Sequence, residues 1–402
     1  MRPFTSTLPF DEALRRLEAA AAPVDRVERV RLNQAAGLVL ARDMIADHDV
    51  PGFDRAAMDG YAVVSADTTA ASAASPVALC EAGVAYTGDA PGQALVRGTC
   101  VEIATGAPLP PGADAVVMVE QTELDAAGRV LVRTPVEHGH NVSPRGADIR
   151  AGDLVLRSGD ELTPGRLGAV AAIGLAEIDV FARPRVLVAS TGNEVVEPGR
   201  PLAPGQVHDV NTTTLHSVVR DHGGEPLVEA PVRDTLDDLR RVLAAAAEAD
   251  LVILSGGSSV GDRDLLVDVL RERGEVIFHG IAVKPGKPTL FGRIGRQLLL
   301  GMPGNPTSCL SNAYILLVPL LRRMARLPPW RPEVRRLRLA RTIRSTPDRH
   351  QFYPVRVEGA EAVPVFKGSG DITSLAHADG YFEVPVGVDL VEAGTQVDVT
   401  LL

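Results

Sequence analysis

The stretch from Arg185 to Leu327 constrains the fold most strongly, because apolar strand patterns alternate there with amphipathic helix patterns. RVLVAS at Arg185–Ser190 and LVILS at Leu251–Ser255 are almost continuously apolar, which is typical of parallel strands covered on both faces. Helices are predicted at residues 211–222, 234–249, 264–271 and 306–327, and further strands at 225–230 and 276–278. This alternation predicts a three-layer α/β domain over residues 174–328.

The sequence on either side of this domain has a different texture. Between residues 48 and 147, short apolar runs are separated by Gly, Pro and Asp and stand too close together for helices, which predicts a β-rich domain. A proline-rich linker at 328–332 leads into residues 329–402, where only short strand patterns occur. We expect residues 1–47 and 148–173 to rejoin as one discontinuous domain, into which the β-rich domain is inserted.

Charge and cysteine content exclude several classes of protein. The net charge of −10 argues against sequence-independent binding of DNA or RNA, which needs a basic face. Cys80, Cys100 and Cys309 form no CxxC pair, so neither a disulfide framework nor a cysteine zinc site is expected. No apolar run approaches the ~18 residues of a transmembrane helix, and the first residues lack the apolar core of a secretory signal. We therefore expect a cytoplasmic protein without membrane association.

The loop SGGSSVGDRD, Ser255–Asp264, follows a predicted strand and opens a predicted helix. Glycines there let backbone N–H groups point at a bound oxyanion, and the helix N-terminus adds positive potential. Parallel sheets bind ligands at this end of their strands, and Glu194 in STGNE follows a neighbouring strand to the same edge. Taken alone, the loop is equally compatible with an empty turn, and Glu194 with a solvated acid.

Two further loops carry groups suited to anions. Lys284 and Lys287 flank a Pro-Gly turn, which would hold two cations on a stiff loop. Pro303 and Pro306 precede a helix whose first turn would offer free N–H groups and hydroxyls to an anion. Each pattern has an ordinary alternative, which is a pair of exposed lysines in the first case and a plain helix start in the second.

Two motifs in the β-rich domain say little by themselves. Asp59 in FDRAAMDGYAV lies in an Asp-Gly turn before a strand, which is a common turn signal. Thr105 lies in the stiff loop of EIATGAPLPPGADAVVMVEQ. The nine histidines show no metal-binding spacing, although His208 and His279 fall near the α/β loops.

Together these stretches resemble one family, the MoeA-type molybdopterin molybdenumtransferases, which are also similar to the C-terminal region of gephyrin. The motifs occur in the family's order over residues 10–400: FDRAAMDGYAV, EIATGAPLPPGADAVVMVEQ, STGNE, GQVHDVNT, LVILSGGSSVGDRD, VKPGKPTLFG and GMPGNPTS. The resemblance implies a multidomain α/β plus β fold. Its parts would be an elongated discontinuous domain, a β-rich insertion domain, an α/β domain similar to the pterin-binding domain of MoaB- and MogA-type adenylyltransferases, and a C-terminal β-barrel.

The family's activity implies that the chain inserts molybdate into adenylated molybdopterin, with Mg²⁺-dependent release of AMP. It also implies a homodimer, in which the active site lies where the α/β domain of one subunit meets the insertion domain of its partner. The adenylyltransferase and apo-molybdoenzymes are further candidate partners.

Site residues follow by similarity. The functional acids would be Asp59, Glu194, Asp234 and Asp264, with Glu194 and Asp264 near the metal and Asp59 acting from the partner subunit. The substrate would contact Thr105, Ser255, Gly256, Gly257, Ser259, Gly261, Lys284, Lys287, Pro303 and Pro306. Arg349 and either Ser369 or Ser374 align loosely with residues that reach the cleft from the C-terminal domain.

One position departs from the family pattern. Many members carry Lys or Arg four residues before the first lysine of KPGKP, where this chain has Gly280 beside His279. We therefore expect altered anion binding. The alternatives left open are a molybdopterin adenylyltransferase, a tungstate-specific paralogue and a non-catalytic pterin-binding protein. Adenylyltransferases resemble the α/β domain alone, so the additional domains favour the insertion reaction.

Overall fold

The computed structural model describes residues 7–257 and 265–402, and its contacts divide the chain into two compact units. The first unit holds the chain up to Glu28, Gly37–Val39 and Val180–Leu402, and the second holds Arg29–Ala36 and Leu40–Asp179. The chain passes between the units within the strands Val27–Arg31, Val39–Leu40 and Glu177–Phe181, and also between Ala36 and Gly37. The finer division into four domains stays a prediction.

The α/β part of the first unit is built on a six-stranded sheet. Its strands follow in space as Glu225–Val228, Arg185–Ser190, Leu251–Ser255, Gln297–Met302, Leu290–Ile294 and Glu275–His279. The first four are parallel, and the fifth runs antiparallel to its two neighbours. The register pairs Ser190 with Ser255 and Ser255 with Met302. Three strands therefore end at the same level, and the loops that follow them leave one edge of the sheet.

Helices cover both faces of this sheet because its inner strands send alternate side chains to opposite sides. Val186, Val188, Leu251 and Ile253 pack with one group of helices, while Leu187, Ala189, Val252 and Leu254 pack with another. The helices are Asn211–Asp221 and Pro306–Met324 on the first face, and Leu236–Ala245 and Leu265–Arg273 on the second. This confirms the predicted three-layer α/β architecture.

Two features of this domain differ from the sequence-based prediction. The strands Leu290–Ile294 and Gln297–Met302 were not predicted, and they form a hairpin that extends the parallel sheet. The helix predicted at 306–327 consists of an α-helix at Pro306–Asn312, a π-helical turn at Ala313–Leu317 and an α-helix at Val318–Met324. The wider turn is invisible in the apolar pattern because that pattern continues through it.

The C-terminal part of the first unit is a closed five-stranded β-barrel, as the family resemblance implied. Around the barrel the strands are His350–Glu358, Glu361–Pro364, Val334–Leu339, Gln396–Leu401 and Gly380–Val384, and the last pairs with the first. Its core includes Leu339, Val355, Phe382 and Val399. The strand Val283–Lys284 pairs with the barrel strand at His350 and Gln351, which ties the α/β part to the barrel. This unit also contains the paired strands Val195–Val196 and Val207–His208, the paired strands Ile343–Arg344 and Leu390–Val391, and the helices Thr373–Ala376 and Phe10–Ala20.

The second unit is β-rich, as predicted. Its main sheet has the strand order Ala115–Met118, Gly60–Val63, Thr99–Ile103, Val77–Ala85, Val130–Val132 and Thr122–Leu124. Smaller strand pairs join Val142–Ser143 to Arg55–Ala56 and Leu154–Leu156 to Met44–Ile45, and one α-helix spans Pro164–Ala172. No helix in the described ranges, in either unit, is long and apolar enough to cross a membrane.

Candidate functional site

A cleft of about 1180 Å³ opens at the edge of the α/β sheet where the parallel strands end. Its lining comes from the loops after these strands, from residues 283–288 and from the barrel loop at 366–372. Open α/β sheets bind ligands at this edge. The volume lies slightly above the range of about 300–1,000 Å³ for single small-molecule sites, so the cleft has room for a ligand with several parts.

The floor of the cleft is the start of the glycine loop, at Gly256 and Gly257. Gly256 has φ +101°, and a Cβ atom there would lie 2.3 Å from the carbonyl oxygen of Thr191. Its N–H donates to the carbonyl of Met302 at 3.0 Å, so this N–H extends the sheet and is not available to a ligand. Gly256 and Gly257 therefore allow the close approach of the Thr191 loop, and anion binding by Gly257 stays a prediction.

The remaining predicted residues of this loop, Ser259, Gly261 and Asp264, lie outside the described residues. Their assignments stay predictions.

The hydroxyl of Ser255 is buried, although Ser255 itself also lines the cleft. This hydroxyl accepts a hydrogen bond from Asn211 Nδ2 at 2.6 Å and donates to the carbonyl of Pro303 at 3.2 Å. Asn211 Nδ2 also donates to the carbonyl of Gly304 at 2.8 Å. Ser255 thus links these segments, and its predicted contact with the substrate stays a prediction. The sequence analysis missed Asn211, although its place in GQVHDVNT at a predicted helix start was a usable signal.

One wall of the cleft carries two carboxylates, Glu194 and Asp234. The loop that holds Asp234 is fixed beside the loop that holds Glu194. Gly192 N–H donates to the carbonyl of Val232 at 3.0 Å, and Val232 N–H donates to the carbonyl of Ser190 at 2.8 Å. The pKa of Asp234 is raised, first because the surrounding protein displaces water from the carboxylate and also because of the charge on Glu194, while the nearby Thr191 side chain opposes both effects. The structure therefore brings these two predicted acids into one electrostatically coupled wall.

This wall suits a hard divalent cation, which prefers carboxylate oxygens and would relieve the repulsion between the two acids. Asp209 also lines the cleft, but its Oδ1 already accepts hydrogen bonds from Ser190 Oγ at 2.6 Å and Thr212 N–H at 3.0 Å. Within residues 7–257 and 265–402, no cluster of three or more His, Cys, Asp or Glu side chains is arranged as a metal site. A cation would accordingly need ligands beyond Glu194 and Asp234, such as substrate phosphates or Asp264.

The lysine turn, residues 284–287, forms another part of the lining. Lys284 Nζ donates to Thr346 Oγ1 of the barrel at 2.7 Å, and Lys287 also lines the cleft. Only three of the 41 basic residues in the sequence are lysines. The third, Lys367, stands between Phe366 and Gly368 at the cleft and donates to Thr373 Oγ1 at 3.2 Å. Sequence analysis missed Lys367, although the rarity of lysine could have revealed it.

The predicted anion site at the helix start after Pro303 and Pro306 is partly filled by the protein itself. The N–H groups of Thr307 and Ser308 donate to the carbonyl of Ser369 at 3.1 and 3.4 Å, and Thr307 Oγ1 donates to the carbonyl of Asp371 at 2.8 Å. These two N–H groups and the Thr307 hydroxyl are therefore not free as expected, whereas Ser308 lines the cleft and the predicted anion binding stays a prediction. The proline turn lines the cleft, but its helix start anchors the barrel loop.

The barrel contributes two of the residues that aligned loosely by sequence. Arg349 and Ser369 line the cleft, and Ser369 Oγ accepts a hydrogen bond from Asn305 at 3.0 Å. Ser374 is fully buried and accepts a hydrogen bond from the N–H of Lys367 at 3.0 Å, so it supports the loop instead. His208 also lines the cleft.

In the second unit, the structure joins the two residues that came from separate motifs. Asp59 Oδ1 accepts hydrogen bonds from Thr105 N–H at 2.7 Å and from Thr105 Oγ1 at 2.8 Å. The first of these bonds is the main reason why the pKa of Asp59 is lowered. Gly60 follows Asp59 because a Cβ atom there would lie 1.9 Å from the carbonyl oxygen of Val117. Asp59 is thus an exposed, ionised carboxylate on a rigid turn.

The fold and the cleft define a multidomain α/β protein whose binding site combines an acidic wall with a lysine turn. Such a site suits a phosphorylated ligand together with a hard cation. Three family descriptions match the chain: the MoeA N-terminal region (domain I and II) at residues 8–174, a probable molybdopterin binding domain at 187–323 and the MoeA C-terminal region (domain IV) at 336–402. The chain belongs to the MoeA family of molybdopterin molybdenumtransferases.

Relatives support this over nearly the whole length. Molybdopterin molybdenumtransferase 2 of Mycobacterium tuberculosis is 38% identical over 381 residues, which cover 92% of this chain and 94% of that protein. The molybdopterin molybdenumtransferase of Haemophilus influenzae is 33% identical and covers 98% of each chain. The crystal structure of a molybdopterin biosynthesis MoeA protein from Pyrococcus horikoshii has a TM-score of 0.84 and 39% identity, and covers 98% of this chain and 99% of that one.

Proposed function

We propose that this transferase inserts molybdate into adenylated molybdopterin and releases AMP in a Mg²⁺-dependent step. The observation that carries the proposal is the cleft itself, whose lining holds the carboxylates Glu194 and Asp234 together with Lys284 and Lys287. A substrate with a phosphoanhydride and a separate metal oxyanion needs both kinds of group. The catalytic task is positioning and charge stabilisation, so no protein nucleophile is required.

The acidic wall would hold Mg²⁺ through Glu194 and Asp234, with Asp264 as the further ligand that the family resemblance assigns. Bound there, the ion supplies positive charge to the phosphate that leaves as AMP. The raised pKa of Asp234 supports this role, because a carboxylate that is partly withdrawn from water and lies near the charge of Glu194 is stabilised by a cation. The carboxylate of Glu194 packs against Gly192. A Cβ atom on Gly192 would lie only 2.8 Å from Glu194 Oε2, so the absence of a side chain there leaves a defined place for this carboxylate.

The lysine turn would bind the anionic parts of the two substrates. Lys284 and Lys287 carry the positive charges, while Arg349 and Ser369 reach the cleft from the barrel. Molybdate is a dianion with four acceptor oxygens, so ammonium, guanidinium and hydroxyl donors suit it. The dithiolene replaces one oxygen of molybdate, and its two thiol protons leave with that oxygen as one water. A second water cleaves the phosphoanhydride to give AMP and the pterin phosphate.

We further propose that the active protein is a homodimer, in which Asp59 and Thr105 act in the cleft of the partner subunit. Their rigid, exposed arrangement supports a role in binding. The adenylyltransferase that supplies the substrate and the apo-enzymes that accept the product would be transient partners. The three free thiols agree with a reducing cytoplasm as the site of the reaction.

The first experiment measures AMP release from adenylated molybdopterin by the purified protein, with Mg²⁺ and with or without molybdate. We expect release that needs both ions and that Glu194→Ala abolishes. Glu197→Ala is the matched control, since Glu197 lies in the same loop with an exposed side chain paired to Arg200. Release without molybdate would contradict the insertion reaction, and release with tungstate alone would identify a tungstate-specific paralogue.

A second experiment tests the shared site. Asp59→Ala and Glu194→Ala proteins, each inactive alone, are mixed under conditions that exchange subunits. If each site uses Asp59 of one subunit and Glu194 of the other, mixed dimers contain one intact site and the mixture regains about a quarter of the activity. No recovery in demonstrably mixed dimers would place both residues in the same subunit's site.

A further inference from the structure

Asn312 is a fully buried polar residue at the end of the helix Pro306–Asn312. Around it lie core residues that include Cys309, Ala313 and Leu316. Asn312 Nδ2 donates hydrogen bonds to the carbonyl of Gly286 at 2.9 Å and to Thr289 Oγ1 at 2.7 Å. Both acceptors belong to the segment that carries the lysine turn, so the contact joins the core to the cleft lining.

The lysine turn is shaped to receive this side chain. Gly286 has φ +110°, and a Cβ atom there would lie 2.2 Å from Asn312 Oδ1. The amide of Asn312 therefore packs flat against the glycine between the two lysines. Thr289 Oγ1 donates to the same carbonyl of Gly286 at 2.8 Å, and Thr289 N–H donates to the carbonyl of Lys287 at 2.9 Å. Hydrogen bonds therefore connect Asn312, Thr289 and the lysine turn to one another.

The helix changes its geometry directly after Asn312. The π-helical turn Ala313–Leu317 takes an extra residue relative to an α-helical turn, and such turns are often found at functional sites. With this wider turn, Asn312 reaches the lysine turn while Ile315, Leu316 and Leu317 all stay in the core. A regular helix would shift the following side chains by about 100° relative to Asn312.

Stability alone does not account for an asparagine here. Burying an amide in an apolar core costs free energy unless every polar atom is bonded, and within the described residues Asn312 Oδ1 has no hydrogen-bond partner. The asparagine is thus unfavourable for the core itself, but its Nδ2 group supplies the donor for the hydrogen bonds to Gly286 and Thr289.

We propose that Asn312 is the positioning residue of the lysine turn, holding the ammonium groups of Lys284 and Lys287 at the spacing that the anionic substrate needs. The inference rests on the proposed role of the lysine turn in anion binding. A lysine on an unfixed turn loses both side-chain and backbone conformational freedom when it binds an anion. When Asn312 already fixes the backbone of the turn, that backbone freedom is lost during folding, so binding of the anion loses less conformational entropy.

The test compares Asn312→Ala and the isosteric Asn312→Asp with the wild-type protein. Measurements are the molybdate KM and kcat for AMP release, direct titration with sodium molybdate, and thermal unfolding. We expect the molybdate KM and dissociation constant to rise about tenfold, the lower end of what orienting residues contribute at metal sites, with kcat within about twofold. Gly286→Ala should give the same pattern, because it disrupts the contact from the other side.

Ser311→Ala is the matched control, since Ser311 is the adjacent buried polar residue of the same helix. Titrations are run below the unfolding midpoint of each variant, so that loss of stability does not enter the result. Variants that melt earlier but bind molybdate with wild-type affinity would overturn the proposal and leave Asn312 a core residue. Lys284→Ala and Lys287→Ala separate the two hypotheses: if they also leave molybdate binding unchanged, the proposed role of the turn itself fails.

Discussion

The side-chain amide of Asn211 donates to the hydroxyl of Ser255 over 2.6 Å and to the carbonyl of Gly304 over 2.8 Å, and thereby fastens three cleft loops together. Asn211→Ala removes both bonds and leaves the buried Ser255 hydroxyl with only the weak donor Cys309 Sγ at 3.6 Å. We expect the free energy of unfolding to fall by about 2 kcal/mol, since each lost bond costs roughly 1 kcal/mol, and AMP release to fall as well. Urea unfolding and initial rates measure the two effects. Asn33→Ala, at an exposed asparagine, is the control and should change neither.

The raised pKa of Asp234 predicts a pH-dependent stability with a defined sign. Because the folded pKa lies above the unfolded value, the stabilising contribution is present below the unfolded pKa and is lost as pH rises through the folded pKa. Asp234→Asn cannot ionise, so its unfolding midpoint should exceed that of the wild type at pH 7 and approach it at low pH. Urea unfolding across pH measures this difference, and a wild type that is relatively more stable at pH 7 would contradict it.

The same carboxylate predicts competition between protons and Mg²⁺. Stabilisation of the wild type by Mg²⁺ should be largest near pH 7 and should decrease as pH falls through the raised pKa of Asp234, because the protonated acid is a poor ligand. Thermal unfolding with and without MgCl₂ measures it. The Asp234→Asn protein provides the comparison, and an equal, pH-independent shift in both proteins would place Mg²⁺ elsewhere.

Gly256 is expected to tolerate no side chain. Its φ of +101° and the carbonyl oxygen of Thr191, 2.3 Å from the Cβ position, both oppose Gly256→Ala. We expect a loss of more than about 1 kcal/mol in unfolding free energy and a strong loss of activity, because the cleft floor must move. Gly165→Ala is the control, since Gly165 lies in the helix Pro164–Ala172 with nothing within 4 Å of its Cβ position and should gain stability.

Lys367 is expected to add positive charge at the rim of the cleft. Lys367→Ala should raise the KM for adenylated molybdopterin about two- to fivefold at low ionic strength, with less effect at high salt, because an exposed charge is screened. Steady-state kinetics at two salt concentrations measure this. Arg336→Ala removes an exposed charge of the same sign from the barrel strand Val334–Leu339 and should leave the KM unchanged.

The sequence predicted what depends on local pattern and on a shared order of motifs. Near-continuous apolar runs such as Leu251–Ser255 were recognisable as buried strands, because only a sheet covered on both faces accommodates them. The linker and the β-rich texture followed from Pro, Gly and alternation in the same way. The hairpin Leu290–Met302 was missed because a short apolar run between turns has no periodicity of its own.

Within the site, the sequence by itself determined which residue types were available: acids after two strands, lysines on one turn and prolines before one helix. Only the tertiary structure decided what each one does, because hydrogen-bond partners come from distant segments. It placed Asp234 beside Glu194, bonded the buried hydroxyl of Ser255 to Asn211, and filled the first turn after Pro306 with the carbonyl of Ser369. Local sequence offers a donor or an acceptor, and packing decides whether a ligand or the protein itself receives it.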